Sequence, residues 1–547
     1  MIDHLQGAEP EKLFLEVAFN RHYIEGDLAK SIVTGSSPNH VVRIQQMLGY
    51  AYGKGWKGIV GAWFRGTNRP PGKFKFYPGK MSSGNTDPVQ GVDSVFDQDT
   101  PHSNVAWIRL ECPNGAEIGI PDADTKNNPP TGFAAIVDCQ MGDVYDDVGD
   151  VVETDVLLTN PADIIAFGCK EIRRYPNSRI DWESVYQLRQ ICNEEETPDY
   201  TTFPKGLGLT GSYYDGSNFN TLKSTRIDPV IDFPSSNGAP ALELGLDAFS
   251  VRSEGKIKPK YTETYTFYLT HDDGGRLWVN GNLIIDQWGT VGTHSATINL
   301  NADQLYDIKL EWNETGGVAF CKLEWQSASQ PRQVVPQDRL YPKAVPQKRF
   351  INGSAFTQRT NFDAFLREIL GSCNGGYQDL DGKLRFFCID ELMPSFDFNE
   401  SNIVKKTFKH KPRFKQQEWL TLPNRFIANG RDLDSRYIHP FDPPVVYDVP
   451  DLQEIAGRII EETVYVGTTT QWHALKHLQH YARLRTAPYI TEFEGMPQTL
   501  PVLPGDLVRV THPKAGWINK PCLTLEATDK SIRPSPDERI FKLLVWE

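Results

Sequence analysis

No stretch of this 547-residue chain approaches the ~18 consecutive apolar residues that cross a bilayer. The opening MIDHLQGAEPEKLF also lacks the basic and apolar regions of a secretion signal. These absences predict a soluble chain made in the cytosol. Its eight cysteines, Cys112, Cys139, Cys169, Cys192, Cys321, Cys373, Cys388 and Cys522, are far apart and form no CxxC pair. A metal cluster and a disulfide framework are therefore disfavoured, and buried free thiols are expected. Catalytic signatures are missing too: there is no HExxH, no GxSxG, no phosphate loop ending in Gly-Lys-Ser/Thr and no GxGxxG after a strand. A glycosidase-like pair of acids is not excluded by composition, but no two carboxylates can be chosen without distances. The expectation is a protein that is not an enzyme and requires no cofactor.

A surplus of positive charge is absent as well. The net charge is −13, and most of it lies in residues 1–204, where 18 Lys and Arg face 29 Asp and Glu. Nucleic acid is a poor partner for such a chain, and no nucleic-acid specificity is expected. The one basic run, KKTFKHKPRFK at 405–415, alternates as a strand with a charged, solvated face does.

Aromatic residues, by contrast, are plentiful at 11%, and 44 Gly and 38 Pro are spread along the chain. That pattern predicts many short strands joined by turns, in roughly three or four domains. Residues 1–154 alternate apolar runs such as IVGAWF and VAWIRLE with turns and are expected to form a β-rich domain. Within them FDQDTPHS gathers Asp97, Asp99 and His102, a turn rather than a metal site. Residues 155–204 and 344–400 then show helical spacing. Asn160 is a cap with Pro161 at the first helical position, and Asp181 caps a helix that places Trp182, Val185, Leu188 and Cys192 on one face. A third helix carries Phe362, Phe365, Leu366, Ile369, Leu370 and Cys373 and leads into a hairpin at Asp381-Gly382. Helices two and three would pack together, yet a β-rich stretch at 205–343 separates them, so this stretch reads as an inserted module. Residues 401–547 form a C-terminal α+β domain. Its strong helix, TTTQWHALKHLQHYARLR, is capped within Thr468–Thr470 and has Trp472, Leu475, Leu478 and Ala482 on its core side. His473, His477 and His480 stand at spacings that could gather imidazoles on zinc, but no fourth ligand lies nearby, so a wet or intersubunit face is expected.

The most informative stretch is LTHDDGGRLWVNGNLIIDQW, Leu269 to Trp288. Asn280-Gly281 between RLWV and LIID predicts a two-residue hairpin turn with both residues at positive φ. Asp272 and Asp273 precede the first of those strands and project from a loop at one end of a sheet. Paired hard oxygens in a rigid loop suit Ca²⁺, with backbone carbonyls, another loop and sugar hydroxyls filling its other positions. The competing reading is an Asp-Gly turn that pins the strand entry. Trp278, Trp288 and Trp312 offer rings for sugar stacking, although a Trp in a strand pattern such as RLWV more often belongs to a core.

At these residues the chain resembles the PA14 domain family. GLTGSYYDG, YTFYLTHDDGGRLWVNGNLIIDQW, YDIKLEWNETGGVAFCKLEWQ and RLYP occur in that family's order across about 205–343. The resemblance implies a β-sandwich used mainly in carbohydrate recognition. Its lectin-like members bind Ca²⁺ and sugar through an Asp-Asp pair, often joined by a cis peptide, which here would be Asp272-Asp273. It also implies a further ligand from a neighbouring loop, for which Asn313 is the candidate, and Trp288 is kept as a candidate sugar contact. Ca²⁺ would then be the ion held in this domain.

The flanks, LLTNPADIIAF, RIDWESVYQLRQIC, the stretch from KRFINGSAF to DLDGKLRF, and TTTQWHALKHLQHYARLR on to GDLVRVTHP, resemble the tail-tip or baseplate hub proteins of long-tailed bacteriophages. That resemblance implies β-barrel or sandwich hub domains with a few packed helices. It implies a homotrimer in the virion, made in the host cytoplasm. Its partners would be the distal tail protein, the tape measure protein, tail fibres and a host cell-surface glycan. Such a protein would close the tail tube and organise host attachment. The alternative is a virion-associated or secreted glycan-degrading enzyme with a PA14 accessory domain.

Overall fold

The computed structural model describes the backbone of the strands between Arg21 and Tyr145. It describes residues 139–545 with their side chains, apart from short stretches of which 355–360, 431–443 and 530–538 are the longest. Asp97, Asp99 and His102 lie outside the described residues. The protein is mainly β, with a β-sandwich and a few helices. No described helix is long and apolar enough to cross a membrane. The seven described cysteines are buried, and Cys169, Cys192, Cys321, Cys373 and Cys388 are free thiols.

The chain divides into two compact units, Glu195–Gln347 and the residues on either side of it. The inserted unit is a two-sheet sandwich. One sheet runs in the order Thr221–Asp228, Leu209–Asp215, Phe249–Ile257, Tyr306–Glu314, Gly274–Val279, Asn282–Gln287, with Leu340–Pro342 also paired to Phe249–Ile257. The other runs Asp232–Ser236, Ala319–Ser327, Glu263–Asp272, Gly292–Leu300, with Gln330–Val334 on Ala319–Ser327. Alternate side chains of both sheets point inward, which gives a core of Tyr213, Val251, Phe267, Leu277, Leu310, Trp312, Leu323 and Trp325. The predicted turn is present, with Asn280 at φ 52 and Gly281 at φ 76 joining Val279 to Asn282. Trp278 departs from the core reading: it lies on the outer face with the Lys309 ammonium 3.6 Å from its ring centroid.

In the other unit the capped helices form where their cap residues place them. Asn160 accepts from the Ala162 N–H ahead of Pro161–Phe167, Asp181 from Ser184 ahead of Trp182–Asn193, Asn361 from Ala364 ahead of Phe362–Gly371, and Thr470 from His473 ahead of Gln471–Thr486. The first three share one core with the hairpin Gly375–Cys388. The Pro161–Phe167 helix is the element that both longer helices pack against, and Gly168 at its end allows the close approach, since a Cβ there would lie 2.4 Å from the Phe365 ring.

The two ends that flank the insertion meet within this unit. Arg349 donates its main-chain N–H to the Glu194 carbonyl across 2.6 Å and its guanidinium to the Glu194 carboxylate across 2.8 Å, while the Phe350 N–H bonds the Cys192 carbonyl.

The C-terminal sheet corrects the barrel half of the expected fold. Its order is Phe396–Phe398, Leu507–His512, Trp517–Asp529, Arg539–Val545, Tyr489–Gly495, Lys409–Pro412. The two outer strands do not pair with each other, so the sheet stays open, and no closed barrel occurs among the described residues. Lys409–Pro412, from the basic run, is an exposed outer strand, with Lys411 bonded to Glu492 at 2.8 Å.

Candidate functional site

Asp272 ends one sandwich strand and Gly274 begins a strand of the opposite sheet, so the turn between them crosses the edge of the sandwich. The Asp272–Asp273 peptide is cis. Four bonds hold the turn. The Trp312 indole N–H donates to the Asp272 carbonyl across 2.7 Å, and the Asp273 N–H donates to the Asn313 carbonyl across 2.9 Å. The Thr315 N–H reaches one Asp273 carboxylate oxygen at 2.8 Å, and the Thr315 hydroxyl bonds the same oxygen. The facing hairpin is pinned in turn by Gly316 N–H to the Glu314 carboxylate at 2.7 Å and by Gly317 N–H to Asp247 at 3.1 Å.

This arrangement brings one carboxylate oxygen each from Asp272, Asp273 and Glu314 within 4.8 Å of one another. Glu314 is fully buried and Asn313 nearly so. One oxygen of each, Oε2 of Glu314 and Oδ1 of Asn313, is buried without a hydrogen-bond partner. Buried acceptors of this kind cost free energy unless something satisfies them. Burial and then the neighbouring Asp273 push the Asp272 carboxyl above its ordinary range. Burial, followed by Asp273, Asp272 and Asp247, does the same to Glu314 against the opposing Gly316 bond. The cluster therefore resists full ionisation by itself and would be relieved by a cation. Gly274 keeps it open: a Cβ there would stand 2.3 Å from Asn313 Oδ1. The donors are hard oxygens, they converge, and two are orphaned, so the residues fit a calcium ion.

Of the residues singled out in the sequence, Asp272, Asp273 and Asn313 are brought together here. Trp288 lies alongside, its Cα 3.3 Å from the Cβ position of Gly274, with its ring half-buried. Trp312 is a core residue that serves through its indole N–H. Glu314 was not singled out. Its signal was its place beside Asn313 at the start of the ETGG turn, where strand alternation would have put one of the two side chains outward.

The wet face expected of the histidines in the last helix is corrected. The three side chains do not converge: His473 meets the Lys348 carbonyl at 2.9 Å, His477 the Gly371 carbonyl at 2.6 Å and His480 the Asp390 carboxylate at 3.2 Å. Nor do they form a wet face, since His473 is buried and burial is the main cause that lowers both His473 and His477.

One comparison with known proteins falls within the sandwich. Residues 206–339 match the family described as PA14 domain. Anti-sigma-I factor RsgI3 of Acetivibrio thermocellus is 45% identical over 152 residues, covering 27% of this chain and 23% of that protein. Protective antigen of Bacillus anthracis is 26% identical over 180 residues, covering 31% of this chain and 22% of its own length. A solved anti-sigma factor domain-containing protein, also 45% identical, covers 27% of this chain and 52% of that structure, with a TM-score of 0.25. The chain thus spans less than a quarter of the length of the curated relatives it matches.

These findings overturn the tail-tip hub expectation, because the similarity runs to a protein named as an anti-sigma factor rather than to phage hubs. The virion location, the trimeric tail assembly with its distal tail, tape measure and fibre partners, and the glycan-degrading alternative fall with it. The segments that carried the hub resemblance are capped amphipathic helices and short strands, and such patterns encode burial in many unrelated folds.

Proposed function

We propose that the sandwich is a calcium-dependent carbohydrate-binding module and that it binds without turning its ligand over. The observation that carries this reading is the group of Asp272, Asp273 and Glu314 oxygens within 4.8 Å, bordered by the orphaned Asn313 and Glu314 oxygens. Asp272, Asp273 and Glu314 would hold the ion through carboxylate oxygens and Asn313 through its amide oxygen. Bound there, calcium supplies open coordination positions that sugar hydroxyls can take in place of water. Trp312 fixes the Asp272 main chain, and Thr315 fixes the rotamer of Asp273, so the donors are set before any ligand arrives. Two differently named proteins match 27% and 31% of this chain over less than a quarter of their own length, which suits a portable recognition role.

The test is calorimetric titration of the full chain with calcium, followed by retention on immobilised glycans with calcium and with EDTA. Stoichiometric calcium binding and glycan retention that EDTA abolishes are the expected results. Calcium binding at Asp272 and Asp273 with no glycan retained on a broad array would overturn the carbohydrate half of the reading, and no calcium binding would overturn all of it.

A further inference from the structure

Two aromatic side chains reach the outer face of the seven-stranded sheet from different loops. Phe219 sits between Leu209–Asp215 and Thr221–Asp228, where its N–H donates to the Ser250 hydroxyl at 2.8 Å and Ser250 in turn donates to the Gly216 carbonyl. Ser250 is the register partner of Asn313, so this loop is tied down beside the calcium-binding candidates. Trp288 follows Asn282–Gln287 and passes close to Gly274, as described above. The Phe219 and Trp288 rings lie 5.9 Å apart with 30° between their planes.

Each ring has a guanidinium beside it. Arg252 lies 4.3 Å from the Phe219 centroid and Arg276 lies 4.5 Å from that of Trp288. Register sets both arginines opposite Glu311 on the strand between them. Arg252 bonds Glu311 at 2.9 Å and Arg276 bonds Asp286 at 2.8 Å. Sheet and loops thus hold the two rings over a charge-balanced row, and both rings remain half-exposed. Rings needed only for packing would be expected to go inward, as Trp312 and Trp325 do.

We infer that Phe219 and Trp288 form a second carbohydrate subsite that takes the apolar C–H face of a pyranose ring adjacent to the one held at Asp272, Asp273 and Glu314. The ligand class is a neutral oligosaccharide rather than an acidic one, because both guanidiniums beside the rings are already bonded to carboxylates. This inference rests on the carbohydrate reading above. An aromatic platform next to a cation site gives affinity that grows with chain length, since the second ring is delivered by the first at high effective concentration.

The experiment titrates the full chain, in calcium, with β-1,4-linked gluco-, manno- and xylo-oligosaccharides of one to six rings and with a wider glycan array. For a glycan that binds, affinity is expected to rise by about tenfold from one ring to two or three, the range of an aromatic contact plus its buried area. Phe219→Ala should remove that rise while leaving calcium affinity and single-ring affinity unchanged, and Trp288→Phe should retain part of it. Single-ring binding with no gain on lengthening, or a full gain in Phe219→Ala, overturns the subsite alone. Calcium bound with no sugar captured at any length overturns the subsite together with the carbohydrate reading.

Discussion

The Trp312 indole N–H donates to the main-chain oxygen of Asp272 across 2.7 Å, which links the buried core of the sandwich directly to the turn that carries its carboxylates. Trp312→Phe keeps a ring in the core and removes that donor. The expected result is a loss of about 1–3 kcal/mol, the cost of leaving a partly buried acceptor unpaired together with a small packing defect. Calcium affinity should fall several-fold because Asp272 is less firmly held. Urea unfolding and calcium titration of the variant read the two effects separately.

Glu314→Gln changes charge and almost no volume. It should weaken calcium binding by at least about tenfold, since a hard-cation site depends on its count of charged ligands. In EDTA the same variant should be no less stable than the parent, because it removes one of three crowded carboxylates from a buried position. Calorimetry gives the first quantity and melting in EDTA the second. A variant that binds calcium as the parent does would show that Glu314 is not a ligand.

His473 gives the pH dependence its sign. Burial lowers its pKa from 6.5 to about 4 in the folded chain. Between those values the unfolded chain takes a proton that the folded chain refuses, so this contribution to stability is complete above about pH 6.5 and is lost as pH falls toward about 4. Asp163, raised to about 6, and Glu368, raised to about 7, act in the opposite direction, so the comparison must be between variant and parent. His473→Gln should lose less stability than the parent between neutral and mildly acid pH, as measured by urea unfolding at each pH.

Gly168→Ala sets two effects against each other. Alanine in a helical conformation gains about 0.5–1 kcal/mol over glycine. The new Cβ would stand 2.4 Å from the Phe365 ring, and overpacking of a core commonly costs about 1–3 kcal/mol. The clash should win, with a lower denaturation midpoint. Adding Phe365→Leu should recover part of the loss, a non-additivity that identifies the contact.

Much of the local structure was legible in the sequence for stated reasons. Asn280-Gly281 takes positive φ at both positions because those two side chains tolerate it, and Asn160 and Asp181 cap the helices that they precede. Asp272 and Asp273 were found because two acids stood where a strand pattern should have continued. Glu314 escaped because period-two alternation aims only one of Asn313 and Glu314 outward, whereas both residues lie buried at the end of their strand. The histidines of the last helix misled because helical spacing gives a face and not its covering: carbonyls of Lys348 and Gly371, distant in sequence, lie against them. The larger error, the hub resemblance, came from helices such as RIDWESVYQLRQIC, in which a cap and an apolar stripe specify burial and say nothing of ancestry.

The step where Arg349 answers Glu194 with both backbone and side chain makes the surrounding unit indifferent to how much chain passes between them. To that unit a detour of about 150 residues and a short connecting bend are topologically equivalent, because each leaves and re-enters through the same doorway. Whatever occupies the slot can thus be exchanged, lengthened or dispensed with while the sequence on either side retains the partners it folds against.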